Sequence, residues 1–175
     1  SCYPQVVSHP KLLVLGLDCA TPQFLFDSDF DLPHLHALRA RGVHGVLRSC
    51  DPPITVPAWS CMTTGADPGV LGCFGFRNRM DHSYAPMRVA TSLAVRTPRV
   101  WDLLGKAGYE SILLGVPQAY PPRPIRGHLV SGLLTPSTDV EYTHPPELAT
   151  EILEACGGYR IDVPNFRTDA LDELI

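Results

Sequence analysis

Two residues have the type and setting for phosphoryl chemistry, Asp18 and Thr55. Asp18 directly follows Lys11–Leu17 (KLLVLGL), a nearly continuous apolar run that reads as a strand buried on both faces. A carboxylate at the end of such a strand is placed to hold a hard or borderline metal cation. The competing reading makes Asp18 a cap for the turn or helix that begins at Thr21-Pro22. Thr55 stands just before Pro57, where a short helix over Pro57–Thr64 is expected, with proline in its first turn and Gly65 as its stop. A hydroxyl there lies near unpaired backbone N–H groups and the positive end of the helix dipole. Those N–H groups can stabilise charge on phosphoryl oxygens, which suits a nucleophile that attacks phosphorus. A threonine hydroxyl is a weak nucleophile and needs a metal or a base to activate it. The competing reading here is an ordinary N-cap threonine.

The elements that must position these residues alternate between strand and helix. Residues 1–10 read as a polar lead-in. Leu32, Leu35 and Leu38 mark one face of a helix over Leu32–Arg41, stopped by Gly42. Val43–Ser49 reads as a second strand and Asp51–Val56 as a proline-rich loop. Residues 66–97 show little periodicity and read as a long loop excursion. Then follow a helix over Pro98–Ala107, a strand over Tyr109–Val116, a loop, a strand over His128–Leu134 and a helix over Pro146–Cys156. Thr168–Ile175 looks like the start of another helix. The alternation implies an α/β fold, a mainly parallel sheet with helices on both faces. Ligands in such sheets bind beyond the carboxyl ends of the strands, which is where Asp18 sits and where the Thr55 loop should arrive.

Composition narrows the function classes. The 175 residues carry 14 Lys+Arg against 18 Asp+Glu, a formal charge of −4, and 45% are hydrophobic. That is enough apolar material for a core and argues against disorder. A mildly acidic chain has no general footprint for duplex nucleic acid. No apolar run is long enough for a membrane span. The 18 prolines gather in loops such as Asp51-Pro52-Pro53, and the bases are nearly all Arg, with Lys only at 11 and 106. Six scattered cysteines without a Cys-x-x-Cys pair exclude a zinc ribbon or thioredoxin-type motif. They read as free thiols of a reducing compartment, hence a cytoplasmic location. His34, His36 and His44 read as surface residues, and Trp59 as core or pocket wall.

The combination is more specific than its parts. Leu15-Gly16-Leu17-Asp18, then Pro52-Pro53-Ile54-Thr55-Val56-Pro57-Ala58-Trp59-Ser60, then Thr64-Gly65-Ala66-Asp67-Pro68-Gly69-Val70-Leu71-Gly72, resembles the alkaline phosphatase superfamily. The branch it looks most like is the type I phosphodiesterase/nucleotide pyrophosphatase group. By that resemblance Asp18 is a metal ligand. Thr55, the Thr of a Thr-x-Pro motif, is the metal-bound nucleophile of a two-metal site holding Zn²⁺, with Mn²⁺ an alternative. The implied activity is hydrolysis of phosphate esters, diesters or nucleotide pyrophosphates, on a small-molecule substrate. Sulfatases use Cys or Ser in a motif with an Arg that is missing here. The mutases and phosphatases of the superfamily use Ser.

Two departures from the pattern shape the expectation. The family's phosphate-holding Asn falls here near Phe76, so Asn78 or Arg77 is the candidate substitute; Arg77, Arg79 and Arg88 can also meet phosphate, or simply lie in a solvated loop. The family's remaining Asp and His ligands have no counterpart in this chain, and the pair Asp81-His82 comes too early. A two-metal site needs more ligands than Asp18 and Thr55. The expectation is therefore that residues 1–175 are the N-terminal portion of one larger catalytic domain, inactive alone. The reading from a different class is a non-catalytic α/β binding domain or a degenerate member of the superfamily.

Overall fold

A computed structural model describes residues 11–27, 30–84 and 86–163. The lead-in over 1–10, Cys2 and the helix expected at Thr168–Ile175 lie outside these residues. The chain divides into two compact units between Leu47 and Arg48.

In the first unit, α1 (Pro22–Leu25) and α2 (Pro33–Arg41) both begin with proline, whose missing N–H costs nothing at a helix start. Gly42 closes α2 with its N–H on Leu38 O at 2.8 Å, as expected. His34 and His36 are exposed. His44 accepts a hydrogen bond from Arg39 Nε at 3.0 Å, and the same guanidinium lies 4.9 Å from the Phe26 ring centroid. The two strands expected from the apolar runs do not form. Lys11–Leu17 and Val43–Ser49 have no ladder partner among the described residues, and Leu13 and Leu47 are 86% and 92% exposed. The reason is general: an apolar run sets which side chains want burial, but a strand exists only when its N–H and C=O groups find a neighbour.

The second unit holds the remaining elements. Helix α3 spans Thr55–Thr64, two residues earlier than expected, and ends at Gly65 in the left-handed region at φ 72°. Its positions 56, 60 and 63 are buried, one face at helical spacing. Residues 66–97, expected as loop, hold short elements: α4 (Pro68–Leu71), a hairpin of β1 (Arg77–Arg79) and β2 (Met87–Val89), and a 3₁₀ turn at Ser92–Ala94. They are too brief to show periodicity. The start of α4 is nevertheless chemically marked, since Asp67 accepts a capping bond from Val70 N at 3.0 Å and Pro68 follows it.

Next come α5 (Val100–Lys106), β3 (Ser111–Val116), β4 (Gly127–Ser131), β5 (Thr143–His144) and α6 (Leu148–Cys156). The strands form one sheet in the order β3-β4-β5, with β3 and β4 parallel and β4 and β5 antiparallel. The fold class is α/β, as the alternation implied. The sheet is mixed because β5, two residues long, was not visible as a strand and pairs in the opposite sense. An apolar cluster of Val56, Leu71, Cys73, Ala90 and Val95 fastens α3 and α4 to the segments around the hairpin, with Cys61, Ala66 and Leu134 packed against it. Among the described residues no helix is long and apolar enough to cross a membrane.

The parallel pair β3/β4 depends on a glycine. Gly127 has φ +124°, and a Cβ there would meet Ser111 O at 2.0 Å, the residue it pairs with. Any side chain must push the strands apart or refold the turn. Gly127→Ala should destabilise the protein by about 3 kcal/mol or more, read from the urea denaturation midpoint. An unchanged midpoint would mean that β4 does not begin in this conformation.

Candidate functional site

The first unit carries Asp18 and the second carries Thr55, Arg77 and Asn78. Asp18 is exposed, in a turn after the apolar run. It is not the cap of α1. That position belongs to Thr21, whose side chain makes no capping bond. Cys19, beside it at φ 59°, donates its thiol to Asp18 Oδ2 at 3.6 Å. The Asp18 charge and this bond push the Cys19 thiol above its ordinary range.

Thr55 is the first residue of α3 and is half-buried. The cap is Ile54 in extended conformation, with its N–H on Pro52 O at 2.9 Å. Ala58 N already bonds Ile54 O at 3.0 Å, and Pro57 has no N–H. This helix end therefore presents fewer N–H groups than an ordinary first turn, while keeping the positive end of the dipole.

Beneath α3 lies a buried polar network that positions it. Ser60 Oγ shares its proton between Val56 O, at 2.7 Å, and Gln118 Oε1. Gln118 Nε2 donates to Cys73 Sγ at 3.6 Å. The Arg99 guanidinium donates to Gln118 O at 3.2 Å and to Gln118 Oε1 at 3.3 Å, and lies 5.3 Å from the Trp101 ring centroid. Arg99 also caps α5, its backbone N–H on Asp102 Oδ2 at 2.8 Å. Desolvation by burial pulls the Arg99 guanidinium down to about 10; Asp102 opposes the shift and Arg123 adds to it. It stays charged at neutral pH.

The candidates for holding phosphate are placed differently from one another. Asn78 is buried in β1, where Oδ1 accepts from Phe74 N at 2.8 Å and Nδ2 donates to Gly75 O at 3.2 Å. Its amide closes its own turn. Arg77 and Arg79 flank it exposed, and the Arg79 guanidinium lies 4.0 Å from the Tyr84 ring centroid. Concavities among the described residues of this unit include two. One, of about 400 Å³, is lined by Arg96, Lys106, Arg123 and Arg126 beside Trp101. The other, of about 520 Å³, lies against α3 and is lined by Cys50, Asp51, Cys61, Asp67 and neighbouring glycines; Thr55 is not among its lining residues. Among the described residues no group of three or more His, Cys, Asp or Glu comes together as a metal cage.

The family model for type I phosphodiesterase/nucleotide pyrophosphatase matches residues 12–172. No curated protein and no solved structure matches the chain.

Sequence reasoning missed Gln118, which is fully buried and sits at φ 62° just past the end of β3. Pro117 separates it from the apolar strand, so it lacks the direct strand-to-polar step that singled out Asp18. Gln118→Ala should cost about 1–3 kcal/mol in urea denaturation, because Arg99 and Ser60 lose buried partners. Wild-type stability would show that the network does not hold α3.

Proposed function

The chain belongs to the type I phosphodiesterase/nucleotide pyrophosphatase family, and we propose that it serves in hydrolysis of phosphate diesters or nucleotide pyrophosphates with Thr55 as the nucleophile. The observation that carries this reading is the family match, which runs over residues 12–172 and so takes in Asp18 and Thr55 together. The position of Thr55 at the start of α3 supports it.

In the proposed reaction Thr55 Oγ attacks phosphorus in line with the leaving oxygen. The bond to that oxygen breaks, the oxygen takes up a proton, and the phosphoryl group rests on Thr55 until water releases it. The positive end of the α3 dipole favours the charge that develops on the phosphoryl oxygens. Arg77, exposed, is the better candidate to grip a phosphate, since Asn78 is engaged in its own turn. Asp18 and Thr55 are oxygen donors of the kind a divalent cation such as Zn²⁺ or Mn²⁺ accepts. A cation held at Thr55 would supply positive charge that eases loss of the hydroxyl proton. The two residues are a partial set for the two cations of the proposed complete enzyme.

The test is a comparison of wild type and Thr55→Ala as the native gene product, supplied with Zn²⁺ or Mn²⁺, on bis-p-nitrophenyl phosphate. Thr55→Ala should lower turnover by ~10³-fold or more, and Asp18→Asn should raise the metal concentration needed. Full activity in Thr55→Ala would remove Thr55 from the mechanism. No hydrolysis by wild type would favour the non-catalytic binding domain.

A further inference from the structure

Cys50 and Cys61 lie on either side of Thr55 in sequence and meet in space. Cys50 precedes the loop to α3, and Cys61 lies within α3. Both line the concavity of about 520 Å³ against that helix. Cys50 is close enough to contribute to the raised pKa of Cys61, and its own Sγ lies 3.3 Å from Pro52 O. Both are partly exposed. Cys73, also near Cys61, is fully buried and accepts from Gln118 Nε2 at 3.6 Å, so it is shielded from reagents.

We propose that Cys50 and Cys61 are an oxidative modification site: they join in a reversible disulfide that closes residues 51–60, the segment carrying Thr55, into a ring. The oxidant is a small-molecule disulfide such as oxidised glutathione. The Cys50 thiolate attacks one glutathione sulfur, the S–S bond breaks, and one glutathione leaves as thiolate. Cys61 then loses its proton to solvent and attacks the Cys50 sulfur of the mixed disulfide, expelling the second glutathione. Two protein thiols are oxidised, and one glutathione disulfide is reduced to two thiols. Burial, chiefly, and the Cys50 contact push the Cys61 thiol up to about 11. A thiol held that high carries little thiolate at neutral pH, so the second step is the slower one and closure should quicken as the pH rises. The consequence for the loop at the nucleophile rests on the proposed function; the bond itself does not.

The experiment treats the protein with oxidised glutathione, blocks remaining thiols and maps the peptides by mass. Trypsin leaves Cys50, Cys61 and Cys73 together, because no Lys or Arg lies between Arg48 and Arg77, so chymotrypsin is added to cut after Trp59 and Leu71. The expected product is the Cys50 peptide bonded to the Cys61 peptide, about 2 Da lighter than the two thiol forms and released by dithiothreitol. The same bond should form in Thr55→Ala, which separates this outcome from any failure of the hydrolase reading. In Cys61→Ala, Cys50 should stop at the glutathione adduct. Separate adducts or blocked thiols at Cys50 and Cys61 in the wild type, or a bond from either to Cys73, would overturn the proposal.

Discussion

The amide of Gln118 is the constraint on which the second unit depends. It stands at the carboxyl end of β3 and joins Ser60 of α3, Cys73 after α4 and Arg99 at the head of α5. Each contact satisfies a buried polar group that would otherwise be stranded away from water. Gln118 pays for the position with a left-handed backbone, which side chains adopt at some cost. The reward is that the helix opened by Thr55 cannot slide along the sheet without breaking several bonds at once.

Arg99 makes that arrangement demanding. A buried guanidinium is normally met by a carboxylate, but here its two hydrogen-bond acceptors both belong to Gln118, and the Asp102 carboxylate is occupied by a backbone N–H. Neutral acceptors and an aromatic face solvate the charge without cancelling it. The same end of the unit therefore carries a fixed positive charge in a low-dielectric setting, a useful background for an anionic substrate.

How far the sequence could be read depended on the range of the interaction. Helix positions α2, α5 and α6 were visible because leucine spacing and terminal glycines are local signals. The strand β3 was visible from an apolar run that also finds a partner in β4. Lys11–Leu17 has the same apolar signal and no partner among the described residues, so pattern and outcome parted. The brief elements in residues 66–97 and the two-residue β5 arise from pairing and capping, which periodicity does not report. At the candidate site, the helix that Thr55 opens was legible because Pro57 and Gly65 are local signals. Gln118 was not singled out, because its partners lie 19, 45 and 58 residues away in sequence.

The interior of this unit is held by polar ties as much as by oil. Ser60, Thr63, Ser92, Gln118, Ser131 and Thr143 are buried beside a modest cluster of apolar side chains. Apolar surface newly wetted on unfolding raises the heat capacity, while polar surface lowers it. An interior of this mixture has a small heat-capacity increment for its size, and so its stability varies gently with temperature. Such a unit holds α3 with nearly the same strength across a range of temperatures.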